Sequence, residues 1–121
     1  MKDDVDSLVA KLKDSLLESP HLAVMILSRN LDIVWHNSRF GEEFASQMPV
    51  LGKKCHSVNG SDAPHRGCPL RASFDRSKHV KGFFDFGDRN FFFISIPLGE
   101  GYAAKVHTFL PKEPIDETVE I

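Results

Sequence analysis

Cysteine is scarce in this chain, with two among 121 residues, and tryptophan and tyrosine occur once each. Two cysteines cannot build the disulfide frame of a small secreted scaffold, so stability has to come from a buried core, which a chain of this length can form. Long apolar runs are missing too. No stretch approaches the ~18 residues that a membrane span requires. The first residues, MKDDVDSL, are acidic where a signal peptide carries a basic segment and then an apolar one. A cytoplasmic location with no membrane contact by this segment is the expectation.

Neither sign of charge dominates, since the formal net charge is −2. Binding a phosphate backbone needs clustered Lys and Arg, so nucleic acid is not expected as a direct partner. Enzyme signatures are also absent: there is no Gly-rich phosphate loop, no nucleophile elbow, no His-Glu-x-x-His and no kinase signature set. Catalysis is therefore not expected. What is present is the composition of a globular domain, 41% apolar and 26% charged, with ten phenylalanines.

Val5, Val9, Leu12 and Leu16 recur at the spacing of one helix face, acidic residues fill the first turn, and Pro20 marks the end. The spacing predicts an amphipathic helix, equally suited to a short coiled-coil seam or to lying on its own sheet. AVMIL and LDIVWHN, separated by SRN, read as an antiparallel hairpin of Ala23 to Leu27 with Leu31 to His36. Asn37 is suited to cap a short helix carrying Phe40 and Phe44 on one face. Residues 49–69 are rich in Pro, Gly and small polar residues and predict irregular structure ending at a helix begun by Pro69, PLRASFDRSK. Three strands close the chain: HVKGFFDF, NFFFISIPL and GYAAKVHTFL, joined by Gly-containing turns. Both alternating faces of FFFISI are apolar, so both sides of the sheet call for a cover.

Two strands, short helices and a loop, one connecting helix and three strands is an order that resembles a PAS domain. The segment HLAVMILSRNLDIVWHNSRFGEEF resembles the opening hairpin of that family, with Asn37 where the second strand usually ends. LGKKCHSVNGSDAPHRGCPLRASF resembles a subgroup in which Gly-Lys-x-Cys is followed by a Pro-Cys-x-x-Cys-Pro loop; here the loop reads Pro-x-x-x-Cys-Pro, with His65 in place of the first cysteine of the pair. The resemblance covers residues 20–111. It implies an α+β fold, a PAS-like five-stranded antiparallel sheet with short helices on one face. Residues 1–19 then form an N-terminal amphipathic helix, suited to dimerisation through Val5, Val9, Leu12 and Leu16, and residues 112–121 a tail or linker to an effector.

The implied function is a sensory input module of signal transduction, including two-component systems. It would respond to a small ligand, a metal or a redox change and relay it through flanking helices and a homodimer to a kinase, chemoreceptor or transcriptional regulator. The alternative is a ligand-free interaction and dimerisation module. In such a fold Phe40, Phe44, Phe74, Phe84, Phe92 and Ile94 are the candidates to line a small-molecule pocket.

The cysteine loop admits three readings. Cys55, His65 and Cys68 offer two thiolates and an imidazole, donors that suit Zn²⁺, although a fourth ligand is needed to close the site. Cys68, beside a helix N-terminus and near Arg66 and Arg71, has the setting of a reactive thiol, with Cys55 as its resolving partner. Free cysteines are otherwise small buried hydrophobes, and His65 then only decorates a turn. Haem, which some PAS sensors bind near the connecting helix, is not expected on His79, at a strand start, and His36 and His107 read as structural.

Overall fold

The structure, a computed structural model, describes residues 4–58 and 70–120. Helix α1 spans Val5–Leu17, as its periodicity predicts, and the Asp4 carboxylate accepts from the Asp6 N–H at its start. Strands β1 (Ala23–Ser28) and β2 (Ile33–His36) form the first hairpin. Asn37 caps α2 (Ser38–Glu43), a single 3₁₀ turn follows at Ala45–Gln47, and α3 (Cys55–Val58) and α4 (Leu70–Arg76) are short. Strands β3 (Val80–Asp85), β4 (Arg89–Gly99) and β5 (Tyr102–Pro111) complete the fold. The turn between β4 and β5 takes left-handed backbone at Glu100 (φ 54°) and Gly101 (φ 84°), the geometry that matches strand twist and that glycine adopts without strain.

The five strands among the described residues pair antiparallel in the order β2-β1-β5-β4-β3, so β1 and β5 meet at the centre. Residues opposite each other in register share a face. Two rows therefore cross the inner face, Gly82, Phe93, His107 and Ala23 in one, and Val80, Ser95, Lys105 and Met25 in the next. The short helices cover this face: Phe40 from α2, Val58 from α3 and Leu70 and Phe74 from α4 form one core with Ala23, Met25, Leu27, Ile33 and Ala103.

The outer face is treated differently. Phe83 is 60% exposed and Ile94 36%, and no residue of α1 is buried. The apolar stripe of α1 thus does not cover the sheet among the described residues. Among the described residues no helix is long and apolar enough to cross a membrane.

Candidate functional site

Asn37 leaves β2 fully inside the fold, 2% exposed, and uses its whole side chain. Its Oδ1 accepts from the backbone N–H of Phe40 (3.0 Å), which caps α2, and from that of Val24 (3.1 Å) in β1. Its Nδ2 donates to the carbonyls of Leu17 (2.6 Å) and Leu22 (2.8 Å). One amide therefore ties the last turn of α1 to the central sheet and to α2. The end of α1 makes a second contact with α2, where the Ser38 hydroxyl donates to Glu18 Oε2 at 2.9 Å.

From the far end of α2, Glu43 reaches the middle of β5. Its Oε2 lies 2.7 Å from Nε2 of His107, which is 3% exposed, and its Oε1 accepts from Arg39 Nε at 3.2 Å. Burial alone would raise the Glu43 carboxyl, but the hydrogen bond and charge of His107, and then those of Arg39, outweigh it and hold the group below its ordinary value. A depressed folded-state value means that Glu43 stabilises the fold above the unfolded carboxylate range, about 4. That stabilisation is lost as the pH falls through the unfolded and then the folded value. Thermal melts from about pH 6 to about pH 3 should accordingly fall more steeply in the wild type than in Glu43→Gln. Parallel profiles would show that Glu43 carries no such linkage.

Around His107 the inner face is aromatic. Phe91 lies 5.0 Å from its ring, and Phe109, Phe40 and Phe44 stand edge-on at 6.1, 6.3 and 6.4 Å. Phe84 stacks on Phe93 (5.7 Å, 9°) and Phe86 on Phe91 (5.3 Å, 11°). Lys105, 8% exposed, holds its ammonium 5.4 Å from the Phe91 ring centre and 5.5 Å from that of Phe93. Across the register from Lys105, Ser95 shares a 2.7 Å hydrogen bond with Ser73 of α4.

Of the residues expected to line this region, Phe40, Phe44, Phe74 and Phe84 lie on the helix-covered side. Phe92 and Ile94 stand on the opposite face instead, because strand alternation points Phe91 and Phe93 inward, and Phe92 meets Phe83 there. Lys105, Arg39 and Glu43 were not singled out by the sequence, and His107, read as structural, is the centre of the group. The available signal was the period of two in β5, which sets Lys105 and His107 in phase with the buried Ala103.

Cys55 starts α3, half-buried against the core, and its N–H donates to the Leu31 carbonyl at 2.8 Å. The segment leading to it is pinned to β2, with Ile33 N–H donating to the Lys53 carbonyl and Lys54 paired with Asp32 at 2.8 Å. His65 and Cys68 lie outside the described residues. Among the described residues no group of three or more His, Cys, Asp or Glu side chains is placed to hold a metal ion. His79 and His36 are likewise apart from His107: His79 is exposed, and His36 turns its Nδ1 to the Asn37 carbonyl.

No protein-family model matches the sequence, and no curated protein matches it either. Solved structures do match. The PAS domain of BvgS from Bordetella pertussis is 16% identical, with 90% of this chain and 88% of that one covered and a TM-score of 0.54. The photoactive yellow protein domain of the sensor histidine kinase Ppr from Rhodospirillum centenum is 11% identical, covers 77% of this chain and 89% of its own, and gives a TM-score of 0.55. A domain of an HTR-like protein from Haloarcula marismortui ATCC 43049, 11% identical, is covered over its full length, with 78% of this chain and a TM-score of 0.53. The fold is that of a PAS domain.

Proposed function

We propose that this chain is a cytoplasmic, non-catalytic sensory module of the PAS type, which takes up a signal on the inner face of its sheet and passes it to α1. The fold supports this by analogy. The observation particular to this chain is Asn37, whose one side chain joins the end of α1 to β1 and α2, the elements that enclose the inner face. A change in how α2 sits on β5 is then also a change in the anchorage of α1, which is the kind of bistable coupling a sensor needs.

The relay works through a homodimer in this reading, formed by the exposed stripe of α1, in which Val5, Val9, Leu12 and Leu16 are 68, 42, 57 and 50% exposed. The effector is a kinase, chemoreceptor or transcriptional regulator. Sedimentation equilibrium should find dimers of the wild type. Leu12→Asp should weaken them at least about tenfold, because a carboxylate cannot be buried unpaired in an apolar seam. A wild type that stays monomeric at every concentration would remove the dimer from the mechanism.

A ligand-free interaction module is the rival reading, and a thermal-shift screen against small molecules separates the two, since only a sensor gains stability from a ligand. A metal or redox role for Cys55, His65 and Cys68 is a separate proposal. Metal analysis and a free-thiol count on the wild type and Cys68→Ser decide it.

A further inference from the structure

Lys105 is the enclosed cation of the inner face and lacks a counter-ion among the described residues; Arg89, in phase with Phe91 at the start of β4, also lacks one there but is exposed and lies over the Phe109 ring at 3.7 Å. Lys105 has no ion pair and no hydrogen bond among the described residues; the faces of Phe91 and Phe93 are its partners. The carboxylate on this side of β5, Glu43, is already engaged by His107 and Arg39. The Lys105 side chain is enclosed but its ammonium is not shut off from solvent, so it stands against two ring faces with no anion beside it, and those faces supply only part of what an anion would.

His107, two residues along the same face of the same strand and so about 7 Å away along it, has a matching deficit. Its Nε2 meets Glu43, while Nδ1 is a buried side-chain atom without a hydrogen-bond partner among the described residues. Phe91 touches both residues, and beyond it Phe84 and Phe86, stacked on Phe93 and Phe91, remain 48% and 54% exposed. Among the described residues, the same short stretch of sheet therefore offers a cation without an ion pair, an unpartnered ring nitrogen and flat apolar faces.

We infer that the inner face binds a small organic carboxylate with a flat apolar body, its carboxylate meeting Lys105, a second polar atom meeting Nδ1 of His107, and its body lying against the phenylalanine faces. A proton on each ring nitrogen lets His107 donate to Glu43 and to the ligand at once. A neutral His107 with its proton on Nε2 accepts instead from a ligand hydroxyl. The inference rests on the sensory reading of the same face and names its ligand class.

The test is binding of benzoate and 4-hydroxybenzoate, with benzamide as the neutral control, followed by calorimetry on the full chain. Wild type should bind the carboxylates, and Lys105→Met should weaken them at least about tenfold, the loss of one charge-assisted contact. Lys105→Arg should keep most of the affinity and so shows that the charge, rather than the fold, is what Lys105→Met removes. Lys105→Met itself should melt no lower than wild type, because it breaks no ion pair or hydrogen bond among the described residues and keeps an apolar stem of similar length against the rings.

Equal binding by wild type and Lys105→Met overturns the inference, as does an absence of carboxylate binding. If benzamide binds and benzoate does not, the ligand class is wrong while the sensory reading stands. If benzoate binds through Lys105 but leaves dimerisation and α1 unchanged, the site is right and the relay fails.

Discussion

Asn37→Ala is expected to cost about 3 kcal/mol or more in urea unfolding, although it removes only one small side chain. Two backbone donors, on Val24 and Phe40, and two acceptors, on Leu17 and Leu22, lose their partner together. The two donors sit in buried bonds, and each left unsatisfied carries a penalty of about 1–3 kcal/mol, whereas the two acceptors sit in partly buried bonds where water can replace the amide. Loss of the α2 cap alone accounts for about 1 kcal/mol of the total. The same substitution should uncouple α1, seen as faster amide exchange at Glu18 and Ser19, whose N–H groups close the last turn. Asn37→Asp separates the two roles, since it keeps the acceptor for Val24 and Phe40 but faces a carboxylate toward the two carbonyls. A loss below about 1 kcal/mol in Asn37→Ala would mean that the amide is not the joint described above.

Gly82→Val is expected to be the other large effect. Gly82 sits opposite Phe93, and a Cβ at that position would overlap the Phe93 ring, standing 2.5 Å from its Cζ and 3.1 Å from Cε2 of Phe84. Phe93 is 2% exposed and stacked by Phe84, so its ring has no free space into which to move. Overpacking of this kind costs about 1–3 kcal/mol, and the branched side chain of valine falls at the upper end. Because the damage is local, Gly82→Val should also disturb the ring faces beneath Lys105. Combining it with Phe93→Leu should then cost less than the sum of the two changes, as expected for residues that share one space. Strict additivity in that cycle would place the cost elsewhere.

The legible parts of the fold were those written in one local signal. The bounds of α1 follow from its heptad-like stripe between an acidic start and Pro20, and the structure places the helix over the same residues. Asn37 as a cap was readable from its type and its place before Phe40 and Phe44. Its three further bonds were not, because Leu17, Leu22 and Val24 come to it only through the fold. The first hairpin ends one residue later in β1 and begins two later in β2 than its apolar residues suggest, since Leu31 takes left-handed backbone (φ 67°) in the turn.

The strand NFFFISIPL shows the limit of pattern reading. When both alternating sets are apolar, periodicity cannot say which set faces the helices, and the side expected of Phe92 and Ile94 is the one that Phe91 and Phe93 occupy. In GYAAKVHTFL the pattern misleads, for the more apolar set is Tyr102, Ala104, Val106, Thr108 and Leu110, while the set on the inner face holds Lys105 and His107. The period of two puts Lys105 and His107 in phase with Ala103, but that this set is the inner one follows from their register partners, Met25 and Ala23 on one side and Ser95 and Phe93 on the other. Glu43 and His107 are 64 positions apart and share no local signal. Cys55 lies where its loop begins, while its companions in the motif, His65 and Cys68, fall outside the described residues.

A sensor differs from a mere binder in that occupancy of the inner face is felt at α1. Hydrogen exchange of the full chain with and without saturating benzoate reads this directly. The result expected is protection along β4 and β5 together with a change at residues 16–24, where Asn37 holds the end of α1 and the start of β1. Protection confined to β4 and β5, with residues 16–24 unchanged, would contradict the coupling on which the sensory reading rests.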